Sequence, residues 1–300
     1  MEKHKNIIPG LAIFICAIAF LLFLAAPIQN QLGLLGLGIT EIGLLAISLV
    51  GALLLKGNFK EIFPIKRLSF KAFRGSAYIF LGIYCFQLGV SNLLLYLFPF
   101  MGEINSEIHK FLSEGGLLLL VTVSLLPGIC EEALFRGTIQ SSFSSLKSTA
   151  AMVCIIGVLF GLFHLDIFRF LPAMILGMGF AYIVLKTGNL LYSAFFHALN
   201  NLIPILPILL GNTSVGVTAA DINATMLAGI IIVFVSLGLL FLRLGIRRLN
   251  NKNAGEEGRG KRIVFTVVCI AVAITGLVVV GIGTGLTAPE TNIAVSAMGY

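Results

Sequence analysis

The chain has 300 residues, 58% of them hydrophobic and only 11% charged, with a mean hydropathy of +1.04. Such an apolar share lies far beyond that of a soluble domain and makes lipid the main solvent. The formal net charge of +7 points to no nucleic-acid partner, because the Lys and Arg residues sit in short segments between apolar runs, as membrane topology requires.

Apolar runs bounded by polar, Pro or Gly punctuation predict nine spans. The first, 7–26, follows the polar Met1 to Lys5 in the manner of a signal peptide. Pro27, just after Leu24-Ala25-Ala26, disfavours cleavage there, so it is read as a helix. The second, 32–55, contains Glu41. A basic loop from Lys56 to Arg74 then interleaves Phe59, Phe63, Phe70 and Phe73 with its cations. It reads either as an interfacial helix or as a plain basic loop. The remaining spans are 75–100, 116–140, 149–165, 169–186, 189–210, 224–246 and 263–284, with 149–165 and 169–186 the shortest. The short-period alternation of barrel strands is absent.

The expected class is therefore an all-α, polytopic transmembrane helical bundle of about nine spans (eight to nine), forming a single integral membrane domain over 1–300. Of the 20 Lys and Arg residues, only Lys110 and Arg169 fall on the outer side if the N-terminus is cytoplasmic, which sets the expected orientation. The outer loops then hold Glu103, Glu107, Glu114 and Asp221, the inner ones include Lys252, and the tail from Thr287 to Tyr300 lies outside. Cys16, Cys85, Cys130, Cys154 and Cys269 lie within apolar runs without the spacing of a zinc or disulfide framework, and read as packing residues. No internal repeat supports an inverted-repeat transporter.

Ionisable groups inside spans are costly and mark function by default. Glu41 stands alone; Glu131, Glu132 and Arg136 cluster in the fourth span; His164 ends the fifth; His197 sits with Asn200 and Asn201 in the seventh. His4 and His109 lie in polar segments. Glu132 and Arg136 share a helix face and can pair. Glu131, about 100° round the helix, lacks a cation of its own and suits a general base. The alternative is that all three cap a helix end in contact with water. His197 and Asn201 also share a face, where imidazole and amide can donate to an oxyanion or simply join helices. Taken alone, His164, beside Asp166, reads as an interfacial histidine. Counted from basic helix ends near 140, 149 and 189, Glu131 is expected roughly 14 Å deep, His164 roughly 22 Å, His197 roughly 12 Å and Asn201 roughly 18 Å. His164 is the outlier.

Glu131-Glu132-x-x-x-Arg136, Phe160-x-x-x-His164 and His197-x-x-x-Asn201, in that order on successive hydrophobic helices, resemble the CAAX protease and bacteriocin-processing family, also called the Abi family. The resemblance covers a core of about 115–210 and leaves the final helix and tail, 263–300, peripheral. It implies an intramembrane endopeptidase of a bacterial plasma membrane, in which Glu131 and His164 activate water, His197 and Asn201 stabilise the oxyanion, and Glu132, Arg136 and Phe160 support them. The implied partners are the lipid bilayer and a membrane-associated peptide or protein substrate, lipidated in some relatives. Members are often labelled metalloproteases, so a divalent metal such as zinc stays open; His-Glu-x-x-His is absent and no ligand set is assigned. Ser193 and His197 are i, i+4, but a dyad on one helix has poor attack geometry and the Gly-x-Ser-x-Gly elbow is missing. Two other classes compete: a non-catalytic scaffold or self-immunity protein, and a proton-coupled transporter using Glu41, Glu131 and the histidines.

Overall fold

The computed structural model describes residues 7–101, 115–211, 222–250 and 259–287. Glu103, Glu107, His109, Lys110, Glu114, Asp221, Lys252, the segment Met1 to Lys5 and the tail beyond 287 lie outside the described residues. Every regular element among those described is a helix. In chain order these are α1 (Ile8–Leu32), α2 (Leu34–Leu54), α3 (Phe59–Ile62), α4 (Phe70–Leu97), α5 (Gly116–Ser145), α6 (Thr149–Phe163), α7 (Ile167–Thr187), α8 (Leu190–Leu209), α9 (Ala224–Leu249) and α10 (Arg259–Thr287).

Eight helices, all but α3 and α6, are long and apolar enough to cross a membrane. The expected fifth span is α6, whose 15 residues reach only about 22 Å, short of a hydrocarbon core. The first span does not stop at Pro27. A π-helical turn, Leu21–Ala25, precedes the proline, and a second, Leu120–Leu125, precedes Pro127 in α5. Proline has no N–H and crowds the carbonyl four residues back, so a widened turn lets each helix continue. Gly33, at φ +55°, then ends α1. The basic loop forms one helical turn, α3, whose N-cap Asn58 accepts from the Lys60 N–H. It contains no longer interfacial helix among the described residues.

At the centre lies α5, buried continuously from Cys130 to Gln140. Its Leu134, Phe135 and Ile139 pack with Leu44 of α2, Ile156 and Phe160 of α6 and Ala181 of α7. A second cluster joins Ile79, Phe80 and Ile83 of α4 to Leu176 and Phe180 of α7 and to Tyr192 and Phe196 of α8. Helix α9 packs on α4 and on α10. Since lipid is as apolar as a leucine side chain, close packing rather than water exclusion must hold such helices together. At Gly157 an added Cβ would lie 2.4 Å from Met178 Cγ and 2.9 Å from the Met174 carbonyl, and at Gly177 it would lie 2.8 Å from Phe160 Cβ. Only hydrogen at these positions lets α6 close on α7. The hairpin corner between them is sharp: Leu165 takes φ +52°, and Asp166 caps α7 through the Phe168 N–H at 2.8 Å. His164 is thereby held where α6 ends.

Candidate active site

The arrangement starts from the ion pair that helical spacing allows. Arg136 Nη1 donates to Glu132 Oε1 at 2.6 Å, with both side chains fully buried. Arg136 Nη2 donates to the Gly177 carbonyl at 3.2 Å, and its guanidinium lies over Phe160 at 4.4 Å and Phe180 at 5.4 Å. A cation so deep is tolerable only because carboxylate, carbonyl and two ring faces replace its hydration. Phe160 is thus the platform for Arg136, and its ring also meets His164 edge-on at 5.0 Å.

On α8, His197 is almost fully buried and stacked on Phe180. Its Nδ1 lies 2.9 Å from Glu132 Oε1. A carboxylate paired with arginine can only accept, so Nδ1 carries the proton and donates. The opposite nitrogen, Nε2, faces Glu131 Oε2 at 3.9 Å, too far for a direct hydrogen bond. Glu131 Oε2 is buried with no hydrogen-bond partner among the described residues. The Ser193 hydroxyl donates to the Leu190 carbonyl at 3.0 Å.

His164 Nδ1 lies 2.9 Å from the Phe160 carbonyl; donation to it leaves Nε2 as the reactive nitrogen. The ring is within electrostatic range of Glu131 and His197. The expected depth mismatch disappears because α5 extends to Ser145 rather than to about 140. Its last turns survive their polar residues because Ser141 and Ser142 bond back to the Thr138 and Ile139 carbonyls. Glu131 is then about 21 Å from its helix end, against about 22 Å for His164.

Helix α8 begins deeper than α5 ends. Asn189 is buried, with its amide donating to the Lys66 carbonyl at 2.9 Å, and the Leu190 N–H donates to the Pro64 carbonyl. Above that recessed turn lies a cavity of about 400 Å³ lined by Lys60, Lys66, Arg136, Gln140, Gly188 and neighbours. It reaches Arg136 but neither Glu131 nor either histidine, so it is adjacent to the acid and imidazole group rather than its substrate cleft.

Asn201 lies one turn from His197, partly buried. Its Oδ1 accepts from Asn200 Nδ2 at 3.0 Å, which turns its own NH2 away from Asn200. The structure therefore gathers Glu131, Glu132, Arg136, Phe160, His164 and His197, while the printed contact of Asn201 is to Asn200. Among the described residues no group of three or more His, Cys, Asp or Glu is arranged to hold a metal ion. Sequence reasoning missed the π-face contact of Phe180 and the Gly177 carbonyl, which carry no distinguishing signal in an apolar run. It also left Glu41 unplaced; Glu41 lies within electrostatic range of Glu131.

These features define a multi-pass helical membrane protein with a buried carboxylate and imidazole centre. Residues 113–203 match the family model described as Type II CAAX prenyl endopeptidase Rce1-like, and that stretch carries all three motifs and agrees with the family resemblance they support. No match was found among curated proteins or among solved structures.

Proposed function

We propose that the protein is an intramembrane endopeptidase that hydrolyses a peptide bond of a membrane-associated peptide or protein, lipidated substrates included, in a bacterial plasma membrane. The observation that carries this reading is the opposition of Glu131 Oε2 and His197 Nε2 across 3.9 Å, with the imidazole anchored from behind by Glu132 and Arg136. Hydrolysis by water needs a base, a proton donor for the leaving amine and donors for the oxyanion. Glu131, with His164, takes a proton from water as the C–O bond forms. The tetrahedral oxyanion is met by the Asn201 amide and by the His197 imidazole. Collapse breaks the C–N bond, and the proton held by Glu131 passes to the amine.

A scaffold would have little use for an unpartnered carboxylate beside a tautomer-locked histidine, since buried charge without function is expensive. The test is purified protein in bilayers with membrane-anchored peptides, with and without a lipid chain and with and without a chelator. Wild type cleaves, and Glu131→Gln and His164→Ala lose about 100-fold or more in kcat, the usual range for acid–base groups. Absence of cleavage by wild type, or undiminished cleavage by both variants, refutes the reading.

A further inference from the structure

Glu41 is 8% exposed, and its Oε2 is buried with no hydrogen-bond partner among the described residues. An acid in mid-span without a cation is among the least expected features of a membrane helix. Its height can be read from the packing of α2 on α5. Ser48 Oγ and Thr138 Oγ1 lie 2.8 Å apart, and Thr138 Oγ1 also approaches the Ser48 carbonyl at 3.0 Å. Further along, Gly38 abuts Thr122 and Leu126, while Gly51 abuts Thr138, so the two helices run in the same direction. Glu41 precedes Ser48 by seven residues and Glu131 precedes Thr138 by seven. Glu41 and Glu131 thus both fall between the Gly38 contact with Thr122 and Leu126 and the Ser48–Thr138 hydrogen bond, within one stretch of the α2–α5 interface.

The groups facing Glu41 are Cys130 and Glu131 of α5. Beyond Glu131 stand His197 of α8 and His164 at the end of α6, whereas α1, which packs on both α2 and α5, brings no charged side chain. Arg136 is committed to Glu132 and the Gly177 carbonyl. Two neighbouring carboxyl groups in a dry interface cannot both carry charge without strong repulsion, and the usual resolution is a single proton between them.

We propose that Glu41 is a further positioning residue of this site: its carboxyl group pairs with that of Glu131 across the α2–α5 interface and orients the base by hydrogen bonding. The proposal rests on the hydrolase reading for its use but not for its geometry. During hydrolysis Glu131 receives the proton of the attacking water and passes it to the departing amine. Glu41 keeps its own proton throughout and donates to the Glu131 oxygen that is not reacting.

The experiment has two arms on full-length protein in bilayers. Infrared difference spectroscopy at neutral pH is expected to show a buried protonated carboxyl band that is absent in Glu41→Gln and shifted in frequency in Glu131→Gln. In the cleavage assay, Glu41→Ala is expected to lower kcat by about tenfold with KM within about twofold, and Glu41→Gln, which keeps a donor, to restore most of it. Adding Glu41→Ala to Glu131→Gln should cost nothing further, which distinguishes positioning from mere packing. A carboxyl band indifferent to Glu131→Gln, or losses that multiply in the double variant, overturns the proposal. A coupled band in a protein that cleaves nothing keeps the pair and removes the hydrolase reading instead.

Discussion

His197 donates from Nδ1 to Glu132 Oε1 at 2.9 Å, and the same carboxylate oxygen accepts from Arg136 at 2.6 Å. One oxygen thus couples the imidazole of α8 to the cation of α5, and the tautomer of His197 follows from a charge pair one helix away. Asn189, Lys66 and the recessed turn before α8 set the height at which that imidazole meets α5.

The buried pair should therefore matter more when broken than when replaced. Arg136→Met or Glu132→Gln alone is expected to destabilise the bundle by about 3–5 kcal/mol, because each leaves one buried charge uncompensated. The double variant should lose less than the sum of the two, as read by thermal unfolding in a mild detergent.

Asn201 offers a different signature. If its NH2 group meets the oxyanion, Asn201→Ala should lower kcat by about 100- to 1000-fold while KM changes little. Equal effects on both constants would place Asn201 in substrate binding instead.

Packing of α6 on α7 sets where Phe160 and His164 stand. Gly157→Ala drives a methyl group into Met178 and the Met174 carbonyl, and should cost about 1–3 kcal/mol as an overpacked contact. At Gly281 nothing lies within 4 Å of an added Cβ, so Gly281→Ala should leave the unfolding temperature unchanged or slightly raised. Comparing the two melting curves separates a loss of helix contact from any general effect of replacing glycine.

Much of the site is legible in the sequence for a local reason. Glu132 and Arg136 pair as their spacing requires, and His197 and Asn201 occupy one face of α8. His164 looks too deep in the sequence because α5 is read as ending near 140. The Ser141 and Ser142 hydroxyls bond to carbonyls of the preceding turn, and α5 continues to Ser145. Glu41 carries a signal only in hindsight: the same seven-residue offset links Glu41 to Ser48 and Glu131 to Thr138, and it has meaning only once those two hydroxyls are known to touch.

By itself the sequence determines that this protein is a bundle of apolar helices with a few charged groups held away from lipid. Run length, apolar content and i, i+4 spacing are properties of each segment and need no partner. Tertiary structure alone decides that α6 is too short to span, that the turn before α8 is recessed, that Glu131 faces His197, and that Glu41 comes within electrostatic range of Glu131. Those outcomes depend on where polar ends come to rest and which faces meet. In lipid, glycine contacts and buried hydrogen bonds between helices control both, and a single span encodes neither.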